Sequence, residues 1–149
     1  MAYQFRLETL LTVRRNLEEL AQMKLANEMR LLAGHRKRKQ ELENSRAAFM
    51  DELENSKKGR MDSALYIFFM ESMRSAELMI RSQNQVIESQ RQVVEQAREA
   101  LTEKVKSRKI IEKARERDYK KYLQEMLRLE YKENDEIISL RNGNPGLTP

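Results

Sequence analysis

The stretch NSKKGRMDS, residues 55–63, decides the fold because it interrupts a sequence that is otherwise helical in pattern. Gly59 can take the left-handed conformation that closes a helix. Asp62 or Ser63 can accept hydrogen bonds from the first free amides of a following helix. The stretch therefore predicts a helix that ends before it, a short turn, and a second helix that starts at its end.

Few other residues favour a break. The chain of 149 residues contains 4 glycines and 2 prolines, and 36% of its residues are charged, against about 25% in an average globular domain. The only other break is RNGNPGLTP, residues 141–149. We therefore predict a helix over about 5–57, a turn over about 58–62, a helix over about 63–141 and a disordered tail over 142–149.

In the second helix, apolar residues recur in steps of three and four from Leu65 to Leu140, as in a helix with one buried stripe. Seventeen of the 22 stripe positions are apolar, and the mean step of about 3.57 residues lies between those of a coiled coil and a straight helix. Gln83, Gln90 and Arg108 interrupt the stripe and are typical of polar residues that set the register of a coiled coil. The stripe predicts one long, weakly supercoiled helix with a partner helix beside it.

A rougher stripe runs along the first helix and predicts the face that packs on the second. It weakens between His35 and Arg46, where we expect looser packing. The predicted stripe consists of Leu10, Val13, Leu17, Ala21, Leu25, Met29, Leu32, His35, Lys39, Leu42, Arg46, Phe49 and Leu53.

Two helices joined by so short a turn must fold back on each other. The predicted fold class is therefore all-α, a long two-helix antiparallel coiled coil (a helical hairpin) that forms a single domain over residues 1–149. Because the second helix is longer, about 25 of its residues near 115–141 should extend beyond the first. This overhang has an apolar stripe, so we expect it to seek another protein or to bend back on itself.

The most apolar run of the chain is ALYIFFM, residues 64–70. Leu65 and Phe69 fall on the stripe and should face the first helix near the turn. Ile67 and Met70 point outwards in this register, where a two-helix coiled coil cannot bury them alone. Either the helix bends here and folds them inwards, or they form an exposed apolar patch for a partner.

The residue types of most active sites are missing. The chain has no cysteine and one histidine, His35, which excludes disulfides and argues against a metal site. It has no glycine-rich phosphate-binding motif, so we expect no cofactor, no small-molecule substrate and no enzymatic activity. No apolar run approaches the roughly 18 residues of a membrane span, and the N-terminus lacks the core of a signal peptide. We therefore expect a soluble cytoplasmic protein, or one brought to a membrane by a partner.

Positive charge is concentrated in two places of a chain whose net charge is +5. Nine cations and three acids lie between Lys104 and Lys121, and residues 36–39 read RKRK. Such clusters can attract an acidic protein or nucleic acid, or they can form a solvated helix face. Nucleic-acid binding is the least favoured of these, because acids are interleaved with the cations and the sequence has no aromatic-rich platform for single strands.

The two ends of the sequence carry a recognisable pattern. The first segment is YQFRLETLLTVRRNLEELAQMKLA, residues 3–26. It has an aromatic residue, a basic residue and a leucine, then the pattern LL-VR, and then helical turns rich in Glu and Ala. IIEKARERDYKKYLQEMLRLEYKENDEIISLR, residues 110–141, has an acidic pair, Asp135 and Glu136, before its end. Both segments resemble the flagellar export protein FliJ family, and the resemblance covers the chain in length and layout.

That resemblance implies an antiparallel coiled coil, similar to the rotor-stalk subunit of F-type ATPases, that serves bacterial flagellar type III secretion. The partners it implies are the export ATPase ring, the export-gate membrane protein and export chaperones. It implies a cytoplasmic location, at the cytoplasmic face of the inner membrane through the export apparatus. A generic coiled-coil adaptor that binds no ATPase is the alternative.

Two groups of residues are candidates for these contacts. We expect the open end of the hairpin, which is basic, to bind the ATPase ring, and the apolar side chains near the turn to bind the export gate. The candidates for the ATPase contact are Arg14, Arg15, Arg115, Arg117, Tyr119, Lys120, Lys121 and Tyr122. The candidates for the gate contact are Phe49, Tyr66, Ile67, Phe68, Met70 and Met73.

Overall fold

The computed structural model describes residues 2–59 and 61–143, and these form two long helices. Helix α1 spans Glu8–Lys57 and helix α2 spans Ser63–Asn142, with 50 and 80 residues respectively. The described residues contain no strand. The predicted fold class is confirmed: the chain is an all-α helical hairpin whose second helix is the longer one.

The helix ends follow from local hydrogen bonds. Helix α1 begins three residues later than predicted, after a turn in which the Glu8 amide donates to the Phe5 carbonyl at 3.2 Å. Helix α2 begins after Asp62, whose side-chain Oδ1 accepts from the Ala64 amide at 3.5 Å, as expected of a capping residue. The expectation for Gly59 was wrong, because no described glycine has a positive φ. Most of the predicted disordered tail, residues 144–149, lies outside the described residues.

The contacts between the helices divide into two units. Unit 1 pairs residues up to Glu18 with residues from Lys104 onwards, and unit 2 consists of Glu19–Glu103. Within each unit the two helical segments run antiparallel, since a residue later in α1 meets one earlier in α2.

Unit 2 is built on the predicted stripes. Its buried side chains all belong to them and are Leu32, Leu42, Leu53, Phe69, Ala76, Val94 and Ala97. Polar stripe positions are matched across the helices: Gln83 donates to the His35 carbonyl at 3.0 Å, and Gln90 donates to the carbonyl of Glu28 at 3.0 Å.

The prediction was wrong for one stripe residue of α2 in unit 2. Leu65 is exposed and does not belong to the buried row; it lies in the first turn of α2, beside the connection. Phe69, one turn later, is the first residue of α2 that is buried against α1.

Unit 1 departs from the predicted stripe of α1 by one residue. The face that packs on α2 is formed by Leu11, Arg14 and Glu18, with Leu11 fully buried and Glu18 8% exposed. The residues predicted for that face are Leu10, Val13 and Leu17, each one position earlier in the sequence. In the structure they are exposed on the flank of the helix. The physical reason is that α2 places Arg108 in the interface. If Leu10, Val13 and Leu17 faced it, the guanidinium would lose its hydration without gaining a hydrogen-bond partner, whereas the observed register places Glu18 opposite it.

The end of α2 has no partner helix in the described part of the chain. After Tyr122, every residue from 123 to 143 is exposed, and several are large and apolar. The expected overhang of α2 is therefore present in unit 1, although it starts several residues later than predicted, because residues 2–7 continue past the start of α1 and reach Tyr122.

Candidate partner-binding surfaces

The interface of unit 1 is held by an ion network centred on Arg108. Its Nε donates to Oε2 of Glu18 across the hairpin, and its Nη1 donates to Oε2 of Glu112 on its own helix at 2.7 Å. Arg15 of α1 reaches the other oxygen of Glu112 at 3.5 Å. Two arginines and two carboxylates thus alternate across the interface, and each charge has a partner of opposite sign.

This network shifts the pKa values of Arg108 and Glu112. Hydrogen bonds to Glu18 and Glu112 raise the pKa of the Arg108 guanidinium above its ordinary value. The hydrogen bond from Arg108 lowers the pKa of Glu112, and Arg15 adds to that effect. Both shifts favour the charged forms of Arg108 and Glu112.

Two further predicted cations are also held by bonds within unit 1. Arg14 donates from Nη1 to the carbonyl of Ser107 at 3.0 Å. Arg115 lies 3.6 Å from a carboxylate oxygen of Glu8, at the start of α1. These bonds attach the first two turns of α1 to α2.

Three tyrosines form a cluster at the start of the chain. The Tyr3 ring lies 5.1 Å from the ring centres of both Tyr119 and Tyr122, and its hydroxyl donates to Asp118 at 2.9 Å. Desolvation raises the pKa of the Tyr3 phenol, and the hydrogen bond to Asp118 adds to this. The cluster therefore fixes the segment before α1 against α2.

The structure divides the predicted ATPase candidates into two sets. Arg14, Arg15 and Arg115 are each held by one bond within unit 1, and Tyr122 packs against Tyr3. Arg117, Lys120 and Lys121 are exposed beside Tyr119, which is also exposed. We define these last four residues as the basic patch.

In unit 2, the apolar run near the turn has one buried residue and several exposed ones. Phe69 is 6% exposed and packs against α1, whereas its neighbour Phe68 is 57% exposed. Tyr66, Ile67 and Met70 are likewise exposed, so the run is not folded inwards.

A shallow groove lies beside that run, between α1 and α2. Phe49 and Phe68 line it from the two helices, together with Met79 and small side chains. We define the tip groove by its lining residues, which are Arg38, Leu42, Ser45, Phe49, Phe68, Glu71, Ser72, Ser75, Ala76 and Met79. Of the predicted gate candidates, Phe49 and Phe68 line this groove, while Tyr66, Ile67, Met70 and Met73 do not.

No group of His, Asp or Glu among the described residues could hold a metal ion. No helix in the described ranges is both long enough and apolar enough to cross a membrane. What the surfaces offer is charge, aromatic rings and apolar area on open faces, which is what protein–protein contacts use.

Comparison with protein families decides the identity. The family model described as flagellar FliJ protein matches residues 3–146. The chain belongs to the FliJ family. No curated protein matches the sequence at a significant level.

A solved structure agrees with the fold of this FliJ-family chain. It is described as a putative YscO homolog, CT670, from Chlamydia trachomatis, and it matches with a TM-score of 0.71 and 20% sequence identity. The match covers 95% of this chain and 96% of the other. At this identity the likeness concerns the fold.

Membership in the FliJ family makes the chain a component of flagellar type III export, a role in which it interacts with other parts of the export apparatus. Sequence reasoning missed Tyr3 and the serines of the tip groove. Tyr3 could have been found from the antiparallel pairing, which places the start of the chain opposite Tyr119. Ser72 and Ser75 could have been found from their position, one residue before the stripe of α2 in each case.

Proposed function

We propose that this FliJ-family chain is a non-catalytic stalk protein that binds both the export ATPase ring and the export gate, and that it handles export chaperones. Through these partners it works at the cytoplasmic face of the inner membrane. The observation that supports two distinct partners is that two exposed surfaces of different chemistry lie in different units: the basic patch in unit 1, and the tip groove with the exposed apolar side chains beside it in unit 2.

The basic patch of unit 1 is the proposed contact with the ATPase ring. Its cations are exposed, whereas Arg14, Arg15 and Arg115 each make a bond within unit 1 that helps to hold the patch in place. Tyr122 has the same supporting role, because its ring packs against Tyr3. Exposed charges of one sign steer association with an acidic surface and make the association sensitive to salt.

Charge reversal tests this contact. Arg117→Glu/Lys120→Glu/Lys121→Glu should weaken binding to the purified export ATPase of the same bacterium, and should reduce the dependence of binding on salt. The matched control is Lys109→Glu/Lys113→Glu/Lys132→Glu, which changes the charge of the same helix by the same amount at other exposed positions. Equal binding by the two variants would rule out the basic patch as the contact.

The tip groove and the exposed residues beside it are the proposed contact with the export gate. Phe49 and Phe68 provide apolar walls, and Met79 extends them. Tyr66, Ile67 and Met70 add exposed apolar area close to the turn, and Met73 supports them from the half-buried side of α2. Methionine and aromatic side chains of this kind are adaptable contacts for a partner.

Serine substitutions separate binding from folding at this surface. Phe68→Ser/Met70→Ser should abolish binding to the cytoplasmic domain of the gate protein while helicity is retained, because both side chains are exposed. Leu127→Ser/Leu129→Ser removes exposed apolar side chains elsewhere on α2 and is the control. Loss of helicity in the first variant, or loss of binding in the control, would contradict this assignment.

A pull-down from the native cytoplasm tests the proposed function as a whole. Recovery of the export ATPase or the gate protein is the expected result. Recovery of neither, with other proteins retained, would favour the generic coiled-coil adaptor.

A further inference from the structure

Three large apolar side chains of unit 1 lie outside the interface between its helices. Leu10, Val13 and Leu17 are 37%, 47% and 40% exposed, and their spacing places them in one row along α1. We define these three residues as the outer stripe.

Packing within the chain does not explain the outer stripe. An isolated hairpin would gain most by burying these side chains against α2, yet that place is taken by Arg14 and Glu18. A buried ion pair such as Glu18–Arg108 is seldom more stabilising than apolar residues of similar volume. The arrangement leaves apolar area available to another molecule.

The outer stripe forms one wall of a groove between the helices. The groove is lined by Leu10, Val13, Arg14 and Leu17 from α1 and by Lys104 and Ser107 from α2. A concave site between two antiparallel helices fits a third helix, which would add its own apolar row to the existing coiled-coil core.

The charges of the groove indicate which kind of helix fits. Both charged side chains that line it, Arg14 and Lys104, are cations. Neither has a carboxylate oxygen within 4.0 Å among the described residues, whereas Arg15, Arg108 and Arg115 of the same unit all have one. Two unmatched cations beside an apolar wall are complementary to a helix that carries acids beside its apolar row.

We propose that this groove binds an amphipathic helix of a partner protein whose polar flank is acidic. Apolar side chains of that helix pack on Leu10, Val13 and Leu17, and its carboxylates reach Arg14 and Lys104. An anionic membrane surface offers the same charge, but a flat bilayer does not fill a groove whose floor lies between two helices.

Binding of designed peptides to the full chain tests the proposal. The acidic probe is a labelled three-heptad peptide with leucines at positions a and d and glutamates at e and g, which keep it from pairing with itself. The second probe has lysines in place of the glutamates. We expect the chain to bind the acidic peptide at least tenfold more tightly, as measured by fluorescence anisotropy at near-physiological salt.

Two variants and their controls locate the site. Leu10→Ser/Val13→Ser/Leu17→Ser should weaken binding of the acidic peptide at least tenfold, whereas the matched triple change Ile137→Ser/Ile138→Ser/Leu140→Ser should not. The charge reversal Arg14→Glu/Lys104→Glu should invert the preference so that the lysine peptide binds more tightly, whereas Lys109→Glu/Lys113→Glu, with the same change in net charge, should not.

Three results would overturn the proposal. The first is equal binding of the two peptides by the native chain. The second is a thermal midpoint that falls well below that of the control triple variant when the outer stripe is changed, since this would show that the stripe packs on α2. The third is stripe-dependent binding to vesicles rich in anionic lipid without binding to the acidic peptide, which would assign the face to a membrane.

Discussion

The pair Glu18–Arg108 gives the sharpest test of how unit 1 is held together. Glu18 is 8% exposed and accepts a hydrogen bond from Arg108 across the hairpin. Removing one partner of a fully buried ion pair costs about 3–5 kcal/mol. In Glu18→Leu, Arg108 still bonds Glu112 at 2.7 Å, so its charge is not left without a partner. We therefore expect a loss of about 2 kcal/mol for Glu18→Leu, close to the value of a hydrogen bond between charged groups.

The reverse change should be the more harmful one. In Arg108→Leu, the Glu18 carboxylate stays buried and loses its partner across the hairpin, so this variant should be less stable than Glu18→Leu. The double variant Glu18→Leu/Arg108→Leu places two leucines in an interface that already contains Leu11 and Ile111. It should regain at least the stability of the native chain, because apolar residues of similar volume often replace a buried ion pair without loss.

Urea unfolding followed by circular dichroism gives the free energies, and hydrogen exchange of the amides of residues 8–18 shows whether the changes arise in unit 1. In order of increasing stability, we expect Arg108→Leu, then Glu18→Leu, then the native chain, with the double variant at least as stable as the native chain. Additive losses in the double variant would refute the reasoning, since they would show that the two side chains contribute independently and do not act as a pair.

Other predictions concern single features of the two units. Gly34→Ala should stabilise the chain by about 0.5–1 kcal/mol in thermal unfolding, because alanine favours a helix interior and an added Cβ meets nothing within 4 Å. Asp62→Ala should cost about 0.5–1 kcal/mol in the same assay through loss of the cap of α2. The pKa of Glu112 is lowered in the folded chain, so its contribution to stability is complete above pH 4.5, the ordinary pKa, and is lost as the pH falls through the lower pKa of the folded state. Acid should therefore increase hydrogen exchange in residues 8–18. Glu112→Gln should reduce that pH dependence. Tyr3→Ser should expose the rings of Tyr119 and Tyr122 and increase exchange at the start of α1 without affecting unit 2.

The fold could be read from periodicity and from the turn, because both are local properties of the sequence. The stripe of α2 is confirmed from Phe69 to Ile111, including the polar positions Gln83, Gln90 and Arg108. The stripe of α1 is confirmed in unit 2, apart from Glu28, which takes the place expected for Met29 because it accepts the hydrogen bond of Gln90 at 2.6 Å. In both helices the buried row is mainly apolar there, so hydrophobic pattern and packing agree.

The candidate surfaces could be predicted only in part. Exposure of Ile67 and Met70 followed from the register, but the tip groove depends on small side chains of both helices, which a search for large apolar residues overlooks. For the basic end, counting cations does not separate those that are bonded within the chain from those that are exposed. That separation depends on which carboxylate lies opposite each cation, as Glu8 does for Arg115 and Glu112 for Arg15.

The error in α1 shows what determines the register of unit 1. Hydrophobic pattern alone places Leu10, Val13 and Leu17 in the interface, and the structure places Leu11, Arg14 and Glu18 there. The difference is one residue, and its cause is a single cation on the opposite helix. Where a cation interrupts the stripe of one helix, the register of the partner helix should therefore be predicted first from the acid that can pair with that cation. The positions of the leucines on the partner helix should be considered only after that.

The same polar positions explain why the chain forms a hairpin and not a parallel dimer of extended helices. In a parallel dimer each stripe residue faces its own copy, so Arg108 would face Arg108 and two buried cations would repel each other. In the hairpin, Arg108 meets Glu18, and Gln90 meets the carbonyl of Glu28. The leucines of the stripes would pack in either arrangement, so the polar residues favour the hairpin in addition to the short connection. Arg108→Leu/Glu18→Leu should accordingly keep its helicity but lose this discrimination, and sedimentation equilibrium should then detect dimers at concentrations where the native chain is monomeric. A strictly monomeric double variant would show that the short connection at residues 58–62 is enough to select the hairpin.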